Sequence, residues 1–162
     1  MQPVLILELL ILLTVANGTP VVAKRLLGAA FAYPLDGGAL FPDGRPWFGP
    51  SKTIRGVVLA TLATAATAAA LGLGWKAGAL IGMVAMGGDL LASFIKRRWG
   101  LTPSSQSIGL DQIPESLLPL LASRLFMPVT ALDIAVATIL FFVGELLLSR
   151  LLFRWHLRDR PY

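Results

Sequence analysis

The segment GGDLLASFIKRR, residues 87–98, carries Asp89, Ser93, Lys96 and Arg97 at i, i+4, i+7 and i+8. On a helix this spacing puts all four on one face, a single polar stripe along an otherwise apolar surface. Asp89 precedes Lys96 by seven residues, so it lies roughly 10 Å farther along the axis than the first lysine of the basic run. An ionisable group inside hydrocarbon is costly unless a cation or a metal ion offsets its desolvation, which makes the stripe a candidate site. The plain alternative is a structural ion pair between Asp89 and Arg124.

Two further segments carry groups of matching chemistry. The stretch PLDGGALFPDGRPWFGPSKTIRG, residues 34–56, sets Asp36, Asp43, Arg45, Lys52 and Arg55 among glycines and prolines. Glycines let backbone N–H groups approach an anion, and Lys and Arg supply charge, so GPSKTIRG beside a helix N-terminus reads as a phosphate cradle. It is not a Walker A loop, because Pro50 and Ser51 separate Gly49 from Lys52 and no strand precedes it. A basic loop that binds lipid headgroups is the alternative. Downstream, LTPSSQSIGLDQIPES supplies a second carboxylate, Asp111, and then Glu115, which reads equally as a catalytic group or as a helix N-terminal charge. Carboxylates beside phosphate-binding cations suit Mg²⁺, which is held by one or two carboxylates with substrate phosphates completing the shell.

The elements that must position these groups are transmembrane. Of 162 residues, 56% are hydrophobic and 14% charged, and the mean hydropathy is +0.74. Soluble domains carry about a quarter charged residues, so a water-facing surface is ruled out. The absence of cysteine removes disulfides, thiolate chemistry and Cys-ligated metals, and one histidine disfavours His-based metal sites and triads. The expected fold is an all-α, polytopic integral membrane bundle of about five spans, forming one domain over residues 1–162 with loops at 28–56 and 96–112. Residues 3–16 form the first span, retained rather than cleaved, with an extension to residue 27 that Pro20 kinks or breaks. The others are 57–73, 77–95, 113–130 and 131–153.

Short connections near residues 72–76 and 127–131 fall on one side and the long loops on the other. Twelve of the fourteen Lys and Arg lie on the long-loop side: Lys24, Arg25, Arg45, Lys52, Arg55, Lys96, Arg97, Arg98, Arg150, Arg154, Arg158 and Arg160. The positive-inside rule then puts the N-terminus outside, and the long loops and C-terminus in the cytoplasm. Trp47, Trp99 and Trp155 fall near that boundary as an aromatic belt, and His156 belongs to a basic interfacial tail. Gly74, Gly78 and Gly82, with the Ala/Thr-rich second span, read as close-packing helix faces. Arg124, Glu145 and Glu8 are expected to pair within the membrane, and Asp133 to be solvated near the outer interface.

The blocks FGPSKTIRG, GGDLLASFIKRRWGLTPSSQ and GLDQIPES, in this order on this hydrophobic pattern, resemble the CDP-archaeol synthase family, which is related to the CDP-diacylglycerol synthases. The likeness runs from Ala16-Asn17 through the fifth span. Ser93-x-x-Lys96-Arg97 followed by Leu110-Asp111-Gln112 is its most specific part. It implies a membrane cytidylyltransferase that takes CTP and a lipid phosphate to a CDP-lipid and pyrophosphate with Mg²⁺, in the cell's inner membrane with its site facing the cytoplasm. By the same resemblance Lys52, Thr53, Arg55, Gly56, Ser93, Lys96 and Arg97 hold the nucleotide, Asp89 and Asp111 hold metal, and Asp89, Asp111 and Lys96 are catalytic.

Archaeal members typically carry a second aspartate two residues after the Asp-Gln pair. Here Pro114 stands there and Glu115 follows, a departure that suggests a bacterial branch. The acceptor stays open between an ether lipid phosphate, phosphatidate and another phospholipid precursor. Nucleic acid is not an expected partner, and the oligomeric state, a homodimer included, is left open. Two rivals are weighed. A CDP-alcohol phosphatidyltransferase needs a DGxxAR…GxxxDxxxD pattern, which is absent. A non-enzymatic transporter or scaffold leaves the Asp89–Arg97 stripe without a purpose.

Overall fold

A computed structural model describes residues 1–103, 105 and 107–154, the side chains through Ser149. Its five helices are α1 (Pro3–Leu27), α2 (Ile54–Ala70), α3 (Trp75–Arg98), α4 (Gln112–Ser123) and α5 (Ala131–Arg154). Three are long and apolar enough to cross a membrane: α1, α3 and α5 over Ala131–Ser149. The 17-residue α2 is apolar but shorter, at the lower limit for a span. Pro20 does not end α1, which runs 25 residues. In the turns around Pro20 the Asn17 amide donates to Leu13 O at 3.0 Å and the Thr19 hydroxyl to Val15 O at 2.6 Å.

The fourth expected span is corrected. In place of a helix over 113–130, α4 has 12 residues, about 18 Å of rise against a hydrocarbon core of about 30 Å. The chain leaves the helix before Pro128, and Arg124 is its exposed C-cap residue. Glu145 lies fourteen residues into α5, on the order of 20 Å along that helix from its start beside the α4–α5 connection, so the two do not pair. Asp133 is corrected as well. It is fully buried, accepting from Gln2 N at 2.9 Å, Thr130 N at 3.1 Å and Thr130 Oγ1 at 2.6 Å, and so ties the N-terminus of α1 to the start of α5.

The ends of the bundle sort as the chain pattern requires. Gln2 donates to Pro128 O at 2.7 Å, and a groove joins Gln2, Gly72, Leu73 and Met127, so the N-terminus and both short connections share one end. Segments 28–53 and 99–111 share the other. The core between them is made by Leu9, Leu12 and Leu13 of α1, Ile81 of α3, Leu120 of α4 and Phe141 of α5.

Small residues set the helix spacing where the polar stripe sits. A Cβ on Gly78 would meet Ala68 Cβ at 2.4 Å and Thr64 O at 2.5 Å, and one on Gly82 would meet Thr61 Cα at 3.0 Å. Those two glycines seat α2 on α3 as expected. Gly74 does not: it precedes α3 with φ +85°, serving the turn. The tightest contact was not foreseen. A Cβ on Gly88 would lie 2.4 Å from Pro114 O and 2.7 Å from Glu115 N, so α4 rests its first turn on the α3 backbone beside Asp89. The basic tail residues Arg158, Arg160, His156 and Trp155, the side chains of Arg150 and Arg154, and Ser104 and Gln106 of the quoted motif lie outside the described residues.

Candidate active site

The polar stripe of α3 faces inward. Ser93, Lys96 and Arg97 are buried, at 2%, 7% and 3% exposure, and the Asp89 side chain keeps a quarter of its surface. Two of these groups form ion pairs with residues from the other two segments. Lys52 Nζ contacts both carboxylate oxygens of Asp89 at 2.6 Å, and Lys96 Nζ meets Asp111 Oδ1 at 2.5 Å. Asp89 therefore pairs with Lys52, not with Arg124. Lys96 also donates to Ser105 O at 2.8 Å, and Arg97 Nη2 to Thr102 O at 2.9 Å, so the loop after α3 folds back over its own cations.

The long first loop is built to deliver Lys52. Its ends are pinned by Leu35 N to Lys52 O at 2.8 Å and Ile54 N to Tyr33 O at 3.1 Å. Its middle is gathered by Asp36, whose carboxylate accepts from Gly38 N, Phe48 N and Gly49 N at 2.9–3.1 Å. Burial pushes this carboxyl up, and the backbone donors of Gly49, Phe48 and Gly38 outweigh it, holding the group below its ordinary value. The loop then clamps the end of α3. Arg98 pairs with Asp43 at 2.6 Å and lies over the rings of Phe41 and Phe94, 4.5 and 5.0 Å from their centroids. Arg45 donates to the carbonyls of Arg97 and Arg98, satisfying acceptors that a helix C-terminus leaves free.

The remaining expected residues divide. Thr53 caps α2 by accepting from Gly56 N at 3.1 Å, and Gly56 lies against Pro20 of α1. Together with Lys52, Asp89, Val57, Met86 and Leu90 they line a small cleft of about 40 Å³. Arg55 turns away from it, donating to the carbonyls of Gly28 and Ala30 and so bracing the end of α1. Glu115 is buried at 6% exposure and feels the charges of Glu145, Asp89, Lys52 and Asp111. Its spacing of four from Asp111 gave no sign that Gly88 would draw it so close to Asp89. Asp36, Asp43, Arg45 and Arg98 act as loop fasteners, a role that the bare loop composition did not reveal.

Several buried donors have no acceptor among the described residues: Nε and Nη1 of Arg97, Nε2 of Gln112 and the Ser105 hydroxyl. Buried polar groups are normally paired, so these donors are free to meet an acceptor brought by a ligand. For a metal, the donors are carboxylate oxygens of the hard type that Mg²⁺ prefers. No group of three or more His, Asp or Glu among the described residues is set to hold an ion alone. The carboxylates of the described residues thus do not form an all-protein cage for an ion.

A family model described as CarS-like CDP-archaeol synthase matches residues 71–162, the part that contains Asp89, Ser93, Lys96, Arg97 and Asp111. The chain belongs to this family. The CDP-archaeol synthase of Methanopyrus kandleri is 35% identical over 129 residues, covering 76% of this chain and 60% of that protein. That of Hyperthermus butylicus is 41% identical over 106 residues, covering 60% and 59%. That of Sulfurisphaera tokodaii is 30% identical over 156 residues, covering 91% and 89%. The chain therefore spans about three-fifths of the length of the first two relatives and most of the third. All three are archaeal. A solved structure described as an intramembrane enzyme for archaeal membrane lipids biosynthesis matches with a TM-score of 0.68 and 27% identity, over 86% of this chain and 91% of that one. The CarS-like assignment thus rests on sequence and shape together.

Proposed function

We propose that this protein is a CTP-dependent cytidylyltransferase that transfers CMP to a lipid phosphate, releasing pyrophosphate and a CDP-lipid. The observation that carries this reading is the meeting of Lys52, Asp89, Lys96, Arg97 and Asp111, from three separate segments, at one end of an apolar bundle. Two substrates that both carry phosphate repel one another, and a lipid phosphate is already a nucleophile near neutral pH. The protein's task is to neutralise and align. An oxygen of the lipid phosphate attacks the α-phosphorus of CTP, forming the new P–O bond as the bond to the β-phosphate bridging oxygen breaks, with the electron pair leaving on pyrophosphate. Lys52, Lys96 and Arg97 offset the phosphate charges, and Ser93 lines the same face. No covalent enzyme intermediate is required.

Asp89 and Asp111 are the residues that would hold Mg²⁺ in this reading. When bound, the ion supplies charge stabilisation to the reacting phosphates. The cation-rich end faces the cytoplasm of the inner membrane, where CTP is found, as the positive-inside count supports. The relatives favour an archaeal-type ether lipid phosphate as acceptor, with phosphatidate as the competitor.

The test is transfer of label from α-labelled CTP into the lipid phase by purified protein with Mg²⁺, offering digeranylgeranylglyceryl phosphate and phosphatidate side by side. Labelled CDP-lipid is the expected result, and the better acceptor identifies the lipid class. No transfer to either acceptor from folded protein would overturn the reading in favour of a phosphate-binding membrane scaffold.

A further inference from the structure

Gln112 opens α4 directly after Asp111 and is 1% exposed, an unusual place for a primary amide. Its orientation is set by its neighbour. Gly109 N donates to Gln112 Oε1 at 2.8 Å, and since a backbone N–H must meet an acceptor, the oxygen faces Gly109 and the NH₂ faces away. That NH₂ has no acceptor among the described residues. Leaving a buried donor unmade costs about 1–3 kcal/mol, so its retention calls for an acceptor that arrives with a ligand.

The surroundings say what kind. Gln112 lies on the buried face of α4 with Glu115, Ser116 and Pro119, the face that Gly88 lets press on α3. The loop entering it is wound tightly. Asp111 N donates to Ser107 O at 3.0 Å, Asp111 Oδ2 accepts from Ser107 N at 2.7 Å, and Asp111 Oδ1 reaches Lys96. Arg97, next to Lys96 on α3, carries two more unmatched donors, Nε and Nη1. With its oxygen engaged by Gly109, Gln112 presents its NH₂ to an incoming acceptor. Next to the Lys96–Asp111 pair, a phosphate oxygen is the acceptor that this donor suits.

We infer that Gln112 is a positioning residue for the nucleotide, its Nε2 donating to a phosphate oxygen of CTP that becomes pyrophosphate, beside the cations of Lys96 and Arg97. This rests on the cytidylyltransferase reading and adds a neutral donor to a site otherwise described by charge. The donor fixes where the departing phosphates sit, while Lys96 and Arg97 supply most of the attraction.

Two variants test it. Gln112→Glu keeps the acceptor for Gly109 N and loses the donor; Gln112→Met loses the donor without adding charge. Thermal midpoints of the detergent-solubilised full chain check folding, and Gln112→Glu decides if Gln112→Met does not fold. Both variants are expected to raise the KM for CTP and the inhibition constant for pyrophosphate together, by about tenfold or more. The KM for lipid phosphate should hold. An unchanged KM for CTP in a folded Gln112→Glu variant would overturn the inference. So would a raised KM for CTP with unchanged pyrophosphate inhibition, which would put the contact on the base or sugar. Wild-type protein that is stabilised by neither CTP nor pyrophosphate would instead defeat the cytidylyltransferase reading itself, and this inference with it.

Discussion

Each carboxylate of the site is held by a lysine, and the energetic consequence is asymmetric. An isosteric amide leaves the lysine charge uncompensated but keeps the shape and an acceptor oxygen for that lysine, a smaller disturbance than truncation, while it removes the carboxylate charge. Asp89→Asn and Asp111→Asn are therefore expected to leave a folded protein with at least a hundredfold less transfer. Near-normal turnover in either variant, measured with labelled CTP, would remove that residue from the proposed metal set. Asp36 titrates for a different reason. Its folded pKa lies below the ordinary 3.8, so the stability it contributes is present above that value and is lost as pH falls through the lower folded value. Thermal midpoints taken from about pH 5 down to about pH 3 should fall more steeply for the wild type than for Asp36→Asn. Equal slopes would mean that the backbone donors around Asp36 do not hold the loop.

Among the elements, α3 and α4 depend on a single missing side chain. A Cβ on Gly88 would stand 2.4 Å from a backbone oxygen, which cannot swing aside as a side chain would. Gly88→Ala is expected to cost about 1–3 kcal/mol through overpacking and to move Asp89 relative to Glu115 and Asp111. A lowered thermal midpoint together with a larger loss of transfer than an equally destabilising change at Gly78 would separate a site effect from a fold effect. The pairing of Gly78 and Gly82 with the Thr/Ala face of α2 was readable, since four-residue spacing of small residues has one common use in membranes. The Gly88–Pro114 contact was not, because nothing in α4 repeats at that spacing and its partner is a backbone carbonyl.

For the whole molecule, the proposed orientation rests on the positive-inside count. The chain has no native cysteine, so single cysteines can report it. Ala39→Cys, in the loop that carries Lys52, should react with a membrane-impermeant maleimide from the cytoplasmic side, and Lys76→Cys, at the short-connection end, from the opposite side. Labelling of both from one side would reject the bundle's orientation. It would also question whether α2 and α3 both cross.

By itself the sequence determined the all-helical membrane class, four of the five helices to within a few residues, and the face of α3 that carries Asp89, Ser93, Lys96 and Arg97. Those follow from local rules: the period of a helix, the cost of charge in hydrocarbon and the short reach of a turn. Only the tertiary structure decided which cation answers which carboxylate, because Lys52–Asp89 and Lys96–Asp111 join segments 37 and 15 residues apart whose approach depends on loop folding. It also reduced the fourth span to a 12-residue helix, where mean hydropathy could not reveal that the apolar stretch changes direction near Pro128. Asp133, too, reads from the sequence as solvated near the outer interface, whereas the start of α1 folds over it. Burial of a polar group is settled by what arrives from elsewhere in the chain, and no window of sequence contains that partner.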